Sequence, residues 1–429
     1  MLHLDISSSF AKILTPSFGI TDQDWTALRT SMKRYVQEWL IERKSGGHAW
    51  SMDPYNERMA KRVGEIALRM KKEKIQTVVW VGIGGSGLGP KVMQDVFEGP
   101  KTLEFLLVDT IDPSQLALFR EMIDWKHALV VVVSKSGNTL ETMSAFFLFW
   151  EQLKSACGKA AHSRVIGITD PSDGPLHNFC IDNDIEMLPI PQDVGGRYCI
   201  FTPVGLLPLA LLGGSIEQFL RGAKEMDEQT QQTTLEENPA AMLAATQFLL
   251  DTKRGYLMRV IMPYGQRLKS FAQWNQQLIA ESLGKNEVKN PFPVAAIGTQ
   301  DQHSLLQQWL AGPRKAWHLF IREVEKPKVF VPQDVPDDFT NIAGRTFGQL
   351  LDACEEGTGR ALTAAKRAHA TLSLTRLDAH HLGMLFFCLL TEVVLLGKLY
   401  RIDPYGQPAV EAGKKFTKEL LSRSAQQEE

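Results

Sequence analysis

The sequence is poor in the features of a disulfide-stapled, secreted or nucleic-acid-binding chain. Only five cysteines occur in 429 residues. Cys157, Cys180, Cys199, Cys354 and Cys388 are scattered and never spaced C-x-x-C, which argues against a disulfide framework or a zinc cage and suits a reducing compartment. Charge of one sign is not in excess either. Lys plus Arg number 47 and Asp plus Glu 49, so no electrostatic footprint for nucleic acid or an anionic membrane is present, and any anion site must be local. The opening stretch "MLHLDISSSFAKIL" has no basic n-region and no long apolar core, so no signal peptide is expected. The most apolar stretch, "LGMLFFCLLTEVVLLG" at 382–397, is short for a bilayer span and carries Glu392; it reads as a buried helix. With no low-complexity segment, these absences predict a soluble cytoplasmic protein.

What is there is a chain long enough for two or three domains and a sizeable core. Residues 22–43 and 54–74 have helical periodicity, Met59, Val63, Ile66 and Met70 recurring at steps of three and four. The pattern then changes. Short apolar runs stand at 77–83, 103–108, 129–133, 164–168 and 186–190, with helix-like segments between. Runs this continuous fit strands buried on both faces, and the alternation predicts a parallel sheet of βαβ units. Residues 215–253 read as a polar helical crossing. A second alternation follows, with strands near 256–262, 294–297, 317–323 and 372–376, and the tail 407–424 reads as one more amphipathic helix. Two α/β domains with helical arms at both ends are expected.

Two loops carry most of the chemistry. The first, "WVGIGGSGLGP" at 80–90, follows a strand and opens a helix. Its backbone N–H groups at a helix start suit any phosphate. Gly82, Gly84 and Gly87 satisfy the dinucleotide fingerprint, with Asp109 as a ribose acid, so this loop alone cannot separate NAD from another phosphate. The second, "SKSGNTLET" at 134–142, follows the run "ALVVVV". Ser134, Ser136, Asn138, Thr139 and Thr142 put short polar side chains around one glycine. Hydroxyls and free N–H groups can surround a single phosphate, and Lys135 can add one charge. Helix capping by Ser136, Thr139 or Thr142 is the alternative. A dinucleotide enzyme has no need of this second cradle.

Together the loops resemble the sugar isomerase fold, in which "S-x-S-G-x-T" grips a sugar phosphate. The stretches "GIGGSGLGP" at 82–90, "GGRY" at 195–198, "QQLIAESLGK" at 276–285, "QDQHS" at 300–304 and "QPAVEAGK" at 407–414 resemble the bacterial form of the glucose-6-phosphate isomerase family, in the family's order. The resemblance implies an α/β fold of two sugar-isomerase domains, each an open parallel sheet flanked by helices. The expected division is a helical arm over 1–52, the first domain over 53–214, the second over 215–402 and a C-terminal helical arm over 403–429. It further implies interconversion of glucose 6-phosphate and fructose 6-phosphate through a cis-enediolate, in glycolysis and gluconeogenesis. A homodimer with shared active sites, a small sugar phosphate as the ligand, and no metal or organic cofactor follow from the same resemblance.

Such a reaction needs a base beside the carbonyl and a cation or hydrogen-bond donor near the enediolate oxygens. Gln277 and Glu281 are four apart on a predicted helix and share a face. By the family match Glu281 is the base and Gln277 contacts the sugar; a surface ion pair of Glu281 with Lys285 is the structural alternative. Arg197 follows Gly195 and Gly196, which let the backbone lie close to a ligand, and its guanidinium would stabilise the enediolate; pairing with Asp193 is the alternative. The match makes His303, from the partner subunit, and Lys414 the ring-opening residues, with Gln407 supporting the phosphate end. Ser86, Ser134, Lys135, Ser136, Thr139, Thr142 and Gly196 are the remaining substrate contacts. Ser136-Gly137-Asn138-Thr139 stands where animal-type enzymes carry Thr-Phe-Thr-Thr, which brings the loop closer to the general sugar-isomerase motif. Gly406 and Ala409 stand where bacterial relatives usually have Asp and Gly. His380–His381 reads as structural. Rival readings are an isomerase of mannose 6-phosphate or an aminosugar phosphate, an NAD-dependent dehydrogenase, and a non-catalytic sugar-phosphate sensor.

Overall fold

The computed structural model describes residues 2–100, 102–287 and 290–425. The apolar runs of the first half form a five-stranded sheet from β2 (Thr77–Val81), β3 (Glu104–Val108), β4 (Ala128–Val133), β5 (Val165–Thr169) and β6 (Glu186–Pro189), in the order β3-β2-β4-β5-β6. Every pairing is parallel. All residues of β2, β4 and β5 are buried, as expected of strands covered by helices on both faces. β3 lies on one side of β2 and β4 on the other. The chain therefore reverses its direction of travel there, and the crevice beyond the carboxyl ends of β2 and β4 is the usual ligand position of an open α/β sheet. Both loops singled out above emerge at that crevice.

The second sheet takes β7 (Met258–Tyr264), β8 (Phe292–Ala295), β9 (Ala316–Glu323) and β10 (His369–Leu374), again parallel to one another. A fifth strand was not expected. β1 (Leu2–Asp5) runs antiparallel along the outer edge of β10, so the N-terminal arm begins as a strand and becomes helical further on, notably over Asp22–Lys44. Leu2 and Leu4 alternating with His3 and Asp5 is the period-two signal, but four residues are too few to stand out.

The longest apolar helix is Ala379–Tyr400. It is long and apolar enough to cross a membrane by length and composition, yet its apolar window is 94% buried inside the protein. It packs on the helices Ile216–Thr230, Pro239–Arg254 and Lys269–Leu283. The polar crossing is thus two helices, and Asn238 caps the second through the backbone N–H of Ala241. The tail helix, Pro408–Ala425, is exposed along 408–418.

Candidate active site

The helix Lys269–Leu283 follows β7 and packs against Gly85–Phe97, the helix opened by the glycine loop. This contact brings the two halves of the chain together at a polar cluster. Gln277 Nε2 donates to Glu281 Oε1 at 2.8 Å, one helical turn away. Arg197 Nη1 donates to Glu281 Oε2 at 3.1 Å. Arg197 is only 3% exposed, and four further bonds fix its guanidinium: to Ser282 Oγ at 2.8 Å, Gln407 Oε1 at 2.9 Å, and the carbonyls of Pro404 at 2.7 Å and Gly406 at 3.0 Å. Tyr198 adds a second support. Its hydroxyl donates to Pro404 O at 3.1 Å and lies 3.0 Å from Ser282 Oγ; burial pushes its pKa up to about 12. The Arg197 partner is therefore Glu281 and not Asp193. Nor does Lys285 pair with Glu281: its ammonium donates to the backbone carbonyls of Asp403, at 2.7 Å, and Tyr405.

The glycine loop closes one side of this cluster. Gly84 has φ +60°, and a Cβ there would lie 3.1 Å from Gln277 Nε2; one on Gly85 would meet the Gly196 carbonyl oxygen at 2.2 Å. Side chains at these positions would force apart the very elements that meet. Gly196 O also accepts a bond from Cys199 Sγ at 2.8 Å. Ser86 lies in the first turn of the following helix, its carbonyl bonded by the Trp80 indole N–H at 2.8 Å.

In the second loop, Thr139 is the residue before the helix Leu140–Cys157, and no side chain caps that helix. Capping is thus not what the hydroxyls do. Thr139 Oγ1 lies 2.9 Å from Ser134 Oγ, Ser136 is exposed, and Thr142 Oγ1 is buried without a hydrogen-bond partner. A first turn of uncapped N–H groups beside four hydroxyls can hold an oxyanion. Lys135 is engaged by the protein itself. Its ammonium donates to the carbonyls of Gln192 at 2.6 Å and Val194 at 2.9 Å, joining this loop to the one that presents Gly196 and Arg197. Burial lowers its pKa, with Asp170 and Asp193 opposing.

Two expected members stand apart within one chain. His303 is exposed on the turn after Gln300–Gln302, and among the described residues no hydrogen bond joins its ring to Arg197, Gln277 or Glu281. Lys414 pairs with Glu411 at 2.8 Å on the tail helix, which is exposed along 408–418. Gln407, just before the helix, does reach Arg197. Ser282, Tyr198 and the carbonyls of 404 and 406 were not anticipated. Ser282 and Tyr198 adjoin Glu281 and Arg197 in the motifs, which is the only sequence signal they carry.

Elsewhere, the helix start at Asp378 brings His380 and His381 beside that acid, their donor atoms within 4.8 Å of one another. These groups are already engaged: His381 Nδ1 with Asp378 at 2.7 Å, Arg376 with Asp378 at 2.6 Å, and His380 with Glu225 at 2.8 Å.

Comparison with known proteins identifies the family. The family model for phosphoglucose isomerase matches residues 52–429. The chain is 37% identical over 373 residues to the glucose-6-phosphate isomerase of Rubrobacter xylanophilus, covering 84% of this chain and 85% of that protein. Its structure is similar to that of a hypothetical protein from Thermus thermophilus, with TM-score 0.89, 30% identity and coverage of 98% and 100%. It also resembles a glucose-6-phosphate isomerase from Chlamydia trachomatis in fold, with TM-score 0.77, 24% identity and coverage of 86% and 74%.

Proposed function

We infer that this chain, which belongs to the phosphoglucose isomerase family, interconverts glucose 6-phosphate and fructose 6-phosphate, a step of glycolysis and gluconeogenesis. The observation that carries the assignment of roles is the hydrogen-bonded unit Gln277–Glu281–Arg197. Moving a carbonyl from C1 to C2 means lifting a proton from one carbon and returning it to its neighbour. Glu281 is the base for that transfer. Each of its oxygens accepts one bond from the protein, which leaves lone pairs for the proton. Its side chain keeps 29% exposure, so substrate can approach it. The enediolate formed carries negative charge on oxygen, and Arg197, four of whose five bonds go to neutral oxygens, opposes that charge.

Ser134, Ser136, Thr139 and Thr142, with the N–H groups of the helix start, hold the phosphate, and Ser86 and Gly196 line the sugar. Gln277 contacts the sugar, and Gln407 supports the phosphate end. Two buried polar atoms without partners, Gln277 Oε1 and Thr142 Oγ1, favour a polyhydroxy phosphate over an apolar ligand. Lys135 acts as the tie between the phosphate loop and residues 192–197. Ring opening falls to Lys414 and to His303 supplied by a second copy of the chain, which makes the working unit a homodimer; its compartment is the cytoplasm, where glycolysis runs. An NAD reading is not favoured: the glycine loop is packed against Gly196, and it leaves the second cradle without a use.

The test is turnover of glucose 6-phosphate by the purified chain with a chelator and no nucleotide. Fructose 6-phosphate should form, faster than product from mannose 6-phosphate or glucosamine 6-phosphate. No turnover of glucose 6-phosphate, with turnover of either alternative, reassigns the substrate; binding without any turnover makes the chain a sensor.

A further inference from the structure

Three of the five acceptors on Arg197 belong to residues 404–407, a stretch with no regular structure ahead of the tail helix. Something must hold that stretch in place. Tyr405 stands at its centre. Its ring lies against Tyr198, with centroids 5.1 Å apart, and its hydroxyl meets Trp50 Nε1 at 3.0 Å and His48 Nδ1 at 2.5 Å. His48 Nε2 lies 2.8 Å from Glu42 Oε2, and the Lys398 ammonium donates to both oxygens of that carboxylate, at 2.6 and 2.8 Å. One arrangement of protons satisfies the whole series. The Trp50 N–H donates to the Tyr405 oxygen, the Tyr405 O–H to neutral His48 Nδ1, and His48 Nε2–H to the Glu42 carboxylate. Burial lowers the His48 pKa, against the pull of Glu42, and raises that of Tyr405; both shifts favour this state. His48 adopts φ +57°, ψ 44°, a left-handed conformation that a non-glycine residue enters only at a cost. From the opposite side Lys285, one turn beyond Glu281, binds the carbonyls of Asp403 and Tyr405.

We propose that Tyr405, clamped by His48 and Trp50, is a positioning residue for the isomerisation: it fixes residues 403–407 so that they hold the Arg197 guanidinium beside Glu281 without neutralising it. The inference rests on the roles given above to Arg197 and Glu281. With the clamp loosened, the Pro404, Gly406 and Gln407 acceptors drift, and a guanidinium that now gives Glu281 one bond is free to shift from its place beside the carboxylate. A misplacement of this kind weakens stabilisation of the enediolate more than it weakens ground-state binding.

Three full-length variants test it. Tyr405→Phe keeps the ring and removes the hydroxyl. His48→Gly relieves the backbone conformation and removes the acceptor. His48→Asn tolerates the left-handed region and offers an amide oxygen in place of Nδ1. The first two should lower kcat about 10- to 100-fold with KM within about threefold of the unaltered protein, and hydrogen exchange across 403–407 should quicken. His48→Asn should recover kcat to within about threefold. A merely structural role predicts the opposite for His48→Gly, an unchanged or more stable protein with full kcat. Unchanged kcat in both loss variants, or His48→Asn as impaired as His48→Gly, overturns the proposal. Should the unaltered protein turn over no hexose phosphate, the functional reading fails separately, and exchange across 403–407 alone decides: no quickening in Tyr405→Phe overturns the clamp.

Discussion

Arg197 makes five hydrogen bonds, and only one of them goes to an acid. That ratio matters because an arginine fully paired with a carboxylate has little field left for a developing oxyanion, whereas one held by hydroxyl and carbonyl oxygens keeps its charge. On the other side of the pair, Glu281→Gln preserves shape but removes the proton acceptor, and its amide nitrogen cannot accept one of the two bonds that Gln277 and Arg197 now donate. It should cost about 10²–10⁴ in kcat with little change in substrate affinity; near-normal steady-state rates would remove Glu281 from the mechanism. Elsewhere, Asp53 shows what burial does to an acid. Its Oδ2 is buried without a partner, and burial, aided by Asp193, raises its pKa from 3.8 to about 7. The folded protein therefore keeps a proton here that the unfolded chain has released. Stability contributed by this residue is present below pH 4 and is lost as pH rises towards 7, by about 4 kcal/mol at most at 1.36 kcal/mol per unit. Asp53→Asn should be the more stable protein at pH 8, and its melting temperature should fall less between pH 5 and pH 8. Parallel melting curves for the two proteins would contradict this.

Among the elements, the central helix Ala379–Tyr400 was readable as a buried helix from composition, because a run that apolar has few other places to go. Its one acid, Glu392, announced a need for a partner but not which one. The partner is Arg259 on β7, both side chains 0% exposed, with Arg259 Nη2 donating to Glu392 Oε2 at 3.0 Å. Burial raises the Glu392 pKa, and the guanidinium holds it partly back. The pair ties the helix to the second sheet. Arg259→Met leaves the carboxylate buried and unpaired and should lower unfolding free energy by about 3–5 kcal/mol, while Arg259→Met with Glu392→Leu should recover most of it. Denaturant midpoints measure both; a double variant no better than the single would show that the charges themselves are needed. At the same scale, β1 escaped sequence reading because an edge strand this short is stabilised by the sheet it joins rather than by its own residues.

At the scale of the whole molecule, a single chain brings Arg197, Gln277, Glu281 and Gln407 together and leaves His303 on an exposed turn. A site completed by a second copy would account for that, and it makes a quantitative prediction. Glu281→Gln and His303→Ala homodimers should each be nearly inactive. After random subunit exchange half the dimers are mixed and each carries one intact site of two, so about a quarter of the original activity should return. No recovery, with exchange verified by mass spectrometry of the dimers, would place both residues in one subunit's site or remove His303 from it.

Patterns confined to neighbouring residues were enough to foresee the parallel sheets, both loops at the strand ends and the Gln277–Glu281 pair, since periodicity, glycine loops and a four-residue helical step are set by local sterics. Folding was required to reveal what holds Arg197. Its partners lie 84, 85 and 207 or more positions away in the chain, and three of them are neutral oxygens of residues 404–407, two from the backbone. A backbone carbonyl has the same chemistry at every position, so nothing in its residue's identity marks it as an acceptor. Only the packing of the two α/β halves, and of the strap that follows them, brings those oxygens within 3 Å of one guanidinium.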